Sequence, residues 1–149
     1  MAGAALQSGA ADGSHLQLTL SNDRAGFDET RLAVLRLLTP HGPSPQLLFN
    51  VELILEETLM NVIWHAFPDS EAHSIAMSVQ VEPEDIVMRF EDDGIAFDPL
   101  LASAPQLPTS IDRAVPGGLG LMLVRKFARS VAYQRIDDRN CLTVRVARA

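Results

Sequence analysis

From Ser44 to Ala66 the chain has one course open to it, a long helix that must be covered on most of its sides. Ser44 is a good N-cap, Pro45 fits the first turn, and Pro68 stops growth beyond Ala66. Between these stops, Leu47, Leu48, Phe49, Val51, Leu53, Ile54, Leu55, Leu59, Met60, Val62, Ile63 and Trp64 leave almost no polar face. Such a helix is mostly buried, so the flanking segments have to supply a second layer. Trp64 reads as core. Glu57 and Asn61, set in these apolar surroundings, need partners, because an unsatisfied buried amide costs roughly 2–7 kcal/mol.

The flanking segments supply that layer. Leu16, Leu18 and Leu20 alternate with polar residues, which predicts a strand at about 15–22. Residues 26–38 are apolar at helical spacing, and Pro40, Gly42, Pro43 and Pro45 then break the chain. Ile75, Met77, Val79 and Val81 alternate, Pro83-Glu84-Asp85 makes a turn, and Ile86, Met88 and Phe90 alternate again, giving a β-hairpin. By parity Asp92 shares the core-facing side with Ile86, Met88 and Phe90. Residues 93–116 carry several prolines and no period, and loops of that length are usually lids or disordered. A helix from about 119 to 130 follows, then a strand at 132–137, a turn at 138–140 and a last strand through Leu142, Val144 and Val146. The order βααββ–lid–αββ predicts an α+β two-layer sandwich, with helices on one face of a mixed, mostly antiparallel sheet. Residues 1–14 read as a disordered N-terminal tail, and residues 15–149 as one domain with a lid at about 95–116.

Composition narrows the function. A net charge of −7 argues against nucleic acid and against an anionic membrane surface, both of which ask for clustered cations. An acidic protein that binds a polyanionic nucleotide must do so through backbone amides and a metal ion. Cys141 is the single cysteine, so no intrachain disulfide or cysteine zinc site is expected, and it reads as a packing residue of the last strand. His15, His41, His65 and His73 lack metal-ligand spacing, and no stretch approaches a transmembrane length. A soluble, cytoplasmic protein is the expectation.

Three patches carry chemistry. Glu57 and Asn61 lie four apart and project from one helix face, whereas Glu56 points about 100° away. The pair is either a polar network satisfying buried groups, or a general base beside a hard oxygen ligand for Mg²⁺. Asp92-Asp93-Gly94 is either an ordinary strand-end turn, or a core-facing acceptor for the exocyclic amine of adenine with Gly94 letting backbone approach the base. Gly117-Gly118-Leu119-Gly120-Leu121 opens a helix, where it is either a hinge or a set of free amides for phosphate. No Gly-Lys-Ser/Thr follows and no strand immediately precedes, so it is neither a P-loop nor a Rossmann fingerprint. His65, one turn past Asn61, lines the same cleft or packs. Lys126, the one lysine against eleven arginines, is either solvated or a phosphate contact.

Taken in order, these patches resemble the boxes of the GHKL (Bergerat-fold) ATPases, and within them the anti-sigma-factor serine/threonine kinases of bacterial partner switching. The N box is similar to Glu57-Thr58-Leu59-Met60-Asn61 with His65-Ala66, and the G1 box to Asp92-Asp93-Gly94-Ile95-Ala96-Phe97-Asp98-Pro99. The G2 box is similar to Gly117-Gly118-Leu119-Gly120-Leu121, continuing into Leu123-Val124-Arg125-Lys126 and Tyr133. The resemblance spans roughly residues 16–148. It implies Glu57 as general base, Asn61 as Mg²⁺ ligand, and Asp92 as the adenine acceptor. It further implies Gly94 and Ala96 at the base pocket, His65 beside it, and Gly117, Gly118, Leu119, Gly120 and Leu121 around the ATP phosphates beneath the lid. Ala96 stands where many members carry glycine. The implied activity is ATP-dependent phosphorylation of a STAS-domain anti-sigma antagonist, with a sigma factor or other regulatory target as second partner and a homodimer as assembly. A non-catalytic, nucleotide-gated binding module is the alternative, in which ATP orders the lid and so sets partner choice.

Overall fold

A computed structural model of the chain describes residues 5–8, 13–69, 71–96 and 120–149. The strands and helices run β1 (Ala5–Ser8), β2 (His15–Ser21), α1 (Arg24–Leu38), α2 (Pro45–His65), β3 (Ser74–Val81), β4 (Asp85–Asp92), α3 (Gly120–Phe127), β5 (Ser130–Ile136) and β6 (Arg139–Ala147), with a short 3₁₀ turn at Thr39–His41. The strands form one sheet in the order β1-β2-β3-β4-β6-β5. Each pairing among the described residues is antiparallel. Ala5–Ser8, expected within a disordered tail, instead pairs with Leu16–Thr19 as an edge strand. The pattern there is too short and too rich in small residues to announce a strand.

The helix that opened the sequence reading forms as predicted. Ser44 accepts a hydrogen bond from the Leu47 amide at 3.1 Å, Pro45 occupies the first turn, and Ala66 caps the end. Leu47, Val51, Ile54, Leu55, Leu59 and Met60 are buried against the sheet and the neighbouring helices. The helix is not buried all round, however. Phe49, Glu56 and Trp64 are exposed, Trp64 by 56%. Trp64 is therefore a surface residue and not core.

One face of the sheet completes the interior. Leu16, Leu18 and Leu20 of β2, Ile75, Met77 and Val79 of β3, Ile86, Met88 and Phe90 of β4, and Val144 and Val146 of β6 are buried beneath the helices. The period of two places Asp92 on that same face, where it is 4% exposed. Cys141 is buried in β6 as a free thiol. The last hairpin turns earlier than expected. Asp137 and Asp138 both take positive φ (50° and 60°), the conformation of a tight two-residue hairpin turn, which aspartate tolerates. Arg139 and Asn140 consequently belong to β6, and Asn140 stands opposite Asp92. Among the described residues no helix is long and apolar enough to cross a membrane.

Candidate functional site

The second half of α2 turns one face toward the end of the sheet. Thr58, Asn61, Val62 and His65 follow at spacings of three, four and seven, the rhythm of a single helix face. With Ala66 they line a cavity of about 40 Å³, closed on the other side by Phe90 and Asp92 of β4 and by Tyr133, Asn140 and Leu142 of the β5–β6 hairpin. Its walls are largely apolar, with Asp92 at the end of its strand.

Asp92 is held from one side. Its Oδ1 accepts the Gly94 amide at 2.9 Å and the Asn140 side-chain amide at 3.0 Å. Among the described residues these are its hydrogen bonds, so Oδ2 is the oxygen left for an incoming donor. Burial pushes the carboxyl above its ordinary range and Asp93 adds to this, while Asn140, Gly94 and Arg135 pull it back.

Asn140 is the centre of a network that the sequence did not announce. Its Nδ2 also donates to the Ile95 carbonyl at 2.7 Å, and its Oδ1 accepts from the Tyr133 hydroxyl and from Arg135 Nη1 at 3.0 Å. Arg135 further donates to the Gly94 carbonyl at 3.0 Å. Residues of three strands thus fix the backbone at 94–95 and the carboxylate before it. Asn140, expected in the turn at 138–140, lies instead within β6.

Gly94 has a steric reason to be glycine. A Cβ there would lie 2.4 Å from the Ala66 carbonyl oxygen and 2.6 Å from the Ala66 Cβ. The close approach it permits is to the end of α2. The Ile95 amide donates to that same Ala66 carbonyl at 2.9 Å, so β4 and α2 are joined at the mouth of the cavity.

The remaining candidates divide clearly. Asn61 is half-buried and lines the cavity; His65 lines it while remaining exposed. Glu57 is half-buried on the adjacent turn, outside the cavity lining, with its carboxyl raised by burial first and by the neighbouring Glu56 second. Ala96 is exposed at the described end of that loop. Gly120 and Leu121 begin α3. Gly117, Gly118 and Leu119, and the expected lid beyond Ala96, lie outside the described residues.

A family model described as a histidine kinase-like ATPase domain matches residues 20–146. The chain is 37% identical over 101 residues to a serine/threonine-protein kinase, BtrW, of Bordetella bronchiseptica, covering 68% of this chain and 71% of that protein. It is 24% identical over 108 residues to an anti-sigma F factor of Oceanobacillus iheyensis, covering 68% and 69%. A second anti-sigma F factor, from Clostridium novyi, is 25% identical over 97 residues, covering 65% and 68%. The matched span runs from β2 to β6 and so takes in the helix, the strand end and the hairpin that close around Asp92. The chain belongs to the histidine kinase-like (GHKL) ATPases, in the family of the anti-sigma-factor serine/threonine kinases.

Proposed function

We propose that the protein is an ATP-dependent protein serine kinase that binds and phosphorylates a STAS-domain anti-sigma antagonist, and in its other partner state sequesters a sigma factor or similar target. The reading includes a cytoplasmic location and pairing of two copies of the chain. The observation that carries it is Asp92, buried at the cavity wall with Oδ1 fixed by Gly94 and Asn140 and Oδ2 directed to no described partner. That arrangement suits the exocyclic amine of adenine, which needs a fixed acceptor in an apolar slot. Mg-ATP, when bound, supplies the phosphoryl group.

This chain's own residues do the rest. Asn61 offers its side-chain oxygen as a hard ligand for Mg²⁺, an ion that leans mainly on phosphates and water and needs no all-protein cage. Asn61 would hold the ion together with the nucleotide phosphates. Amides at Gly117, Gly118, Leu119 and Gly120 meet the phosphates, in keeping with the start of α3 at Gly120. Glu57 accepts the proton of the substrate serine hydroxyl, and its raised carboxyl brings it nearer the working pH of a general base. Phosphoryl transfer asks a protein chiefly for positioning and charge stabilisation, which a domain of this size provides.

The test has two parts. Saturating Mg-ATP should raise the melting temperature, since a ligand of the folded state stabilises it, and Asp92→Ala should abolish the shift. Labelled γ-phosphate should then pass to serine of a STAS-domain protein, as an acid-stable phosphoserine. Absence of the thermal shift overturns nucleotide binding. A saturable shift with stoichiometric complex formation and no phosphoprotein selects the non-catalytic binding module.

A further inference from the structure

Buried polar side chains without a partner are rare in folded proteins, and the described part of this molecule places one in the candidate site. Thr58 is 3% exposed, and its Oγ1 has no hydrogen-bond partner. The usual partner for a helical threonine is the carbonyl four residues back. Thr30 takes it, donating to Gly26 at 2.8 Å, and Thr39 does so to Leu35 at 2.7 Å. Thr58 alone of these three leaves it. The residue sits next to Glu57 on α2 and lines the cavity that Asp92 closes.

The buried polar residues of that cavity are Thr58, Asp92 and Asn140. Both N–H donors of Asn140 have acceptors already, in Asp92 Oδ1 and the Ile95 carbonyl. An ionised Asp92 only accepts. The Thr58 hydroxyl is therefore the buried donor still uncommitted in a cavity whose other buried groups are an acceptor and a filled amide. Thr58 lines the cavity, so a χ1 rotation would suffice to turn its hydroxyl toward a ligand there without moving the helix.

We propose that Thr58 reads the purine base: its hydroxyl donates to the ring nitrogen beside the exocyclic amine of a 6-aminopurine nucleotide, directly or through one water, while the amine goes to Asp92. The assignment rests on the nucleotide-binding reading above and adds a specificity residue to it. A 6-aminopurine presents a donor and an acceptor side by side, which Asp92 and Thr58 match in order. A 6-oxopurine reverses both, setting its carbonyl against a carboxylate. The uncommitted hydroxyl is a cost to the free fold that recognition of the base recovers.

The test is a ligand–mutant cycle on the intact chain. Thr58→Val keeps the shape and removes the hydroxyl; Thr58→Ser keeps the hydroxyl. Calorimetric titration with Mg-ATP and with Mg-1-deaza-ATP, which replaces the ring nitrogen by C–H, should show about a tenfold loss for Thr58→Val on ATP and no further loss on the deaza analogue. Thr58→Ser should bind ATP as the parent does. Without nucleotide, Thr58→Val should melt about 2–4 °C above the parent, because it removes an unmet buried hydroxyl. If the parent binds Mg-ATP but Thr58→Val binds it equally well, or weakens both nucleotides alike, the Thr58 proposal is overturned and the ATPase reading stands. A melting point below the parent's overturns it too, since it would reveal a structural partner for the hydroxyl. If the parent binds neither nucleotide, the nucleotide reading falls and takes this proposal with it.

Discussion

Asn140 holds Asp92 from the neighbouring strand, by a 3.0 Å hydrogen bond between residues 48 apart in sequence. The register of β4 against β6 sets the two opposite each other, and the tight turn at Asp137-Asp138 sets the register of β5 against β6 that brings Tyr133 and Arg135 to Asn140. Asn140 does more than fix one oxygen. It ties the carboxylate to the Ile95 carbonyl and gives Tyr133 and Arg135 their acceptor. Asn140→Ala removes all four contacts and leaves a buried carboxylate with one donor. The expected loss is about 1–3 kcal/mol of folding stability, with weaker Mg-ATP binding in addition. Urea unfolding and calorimetric titration read the two effects separately.

The end of α2 and the end of β4 meet over a glycine. Gly94→Ala would drive a Cβ into the backbone oxygen and the side chain of Ala66, and neither can rotate away. The expected cost is about 3 kcal/mol, at the upper end for overpacking. Gly42 provides the contrast, since a Cβ there meets nothing within 4 Å and only its left-handed φ of 63° is strained. Gly42→Ala should cost about 1–2 kcal/mol. Hydrogen exchange at the Ile95 amide, bonded to Ala66, should accelerate in the Gly94 variant and not in the Gly42 variant.

What was legible in the sequence is what local patterning decides. Ser44, Pro45 and Pro68 bounded α2, and strand parity alone turned Asp92 inward, because capping and a period of two act over a few residues. Trp64 escaped because an apolar helix does not reveal how far its neighbours reach round it. The network around Asn140 escaped for another reason. It joins residues on three strands, and depends on a two-aspartate turn whose positive φ values are less common than those of Asn-Gly or Asp-Gly. Thr58 escaped because a missing partner is invisible until all neighbours are placed. Gly94 was legible as a special position, but its contact with Ala66 joins two elements that no local pattern pairs.

Asp92 should make the free protein's stability depend on pH in a defined direction. Burial raises its carboxyl in the folded state above the unfolded value of about 3.9. The stability tied to that shift is therefore fully present below the unfolded value and is lost as pH rises through the folded one. Asp92→Asn keeps an oxygen to accept from Gly94 and Asn140 and carries no charge at any pH. The variant should melt above the parent at neutral pH, and the gap should close as pH falls toward about 4. Melting curves of both proteins across that window decide it, and a gap that stays constant would mean the ionised carboxylate is not disfavoured by the fold. The same variant presents an amide where adenine's amine requires an acceptor, so the gain in stability should come with loss of the Mg-ATP thermal shift.

The role proposed for Glu57 would separate catalysis from binding. It lies one residue before Thr58 on α2, half-buried, and outside the cavity lining, so Glu57→Gln should leave Mg-ATP affinity within about twofold of the parent. Loss of a general base typically costs 10²–10⁴-fold, and transfer of labelled phosphate to the proposed STAS-domain substrate should fall by roughly that factor. The parent's pH profile gives an independent reading. Burial and Glu56 raise the Glu57 carboxyl, so the form able to accept a proton is lost as pH falls through a value above the ordinary glutamate range of about 4.3. Single-turnover transfer should therefore decline on an acidic limb lying above that range. Removing the neighbouring charge with Glu56→Gln relieves the second of the two causes and should move the limb toward lower pH. A limb that ignores Glu56, together with undiminished transfer in Glu57→Gln, would place the proton acceptor elsewhere.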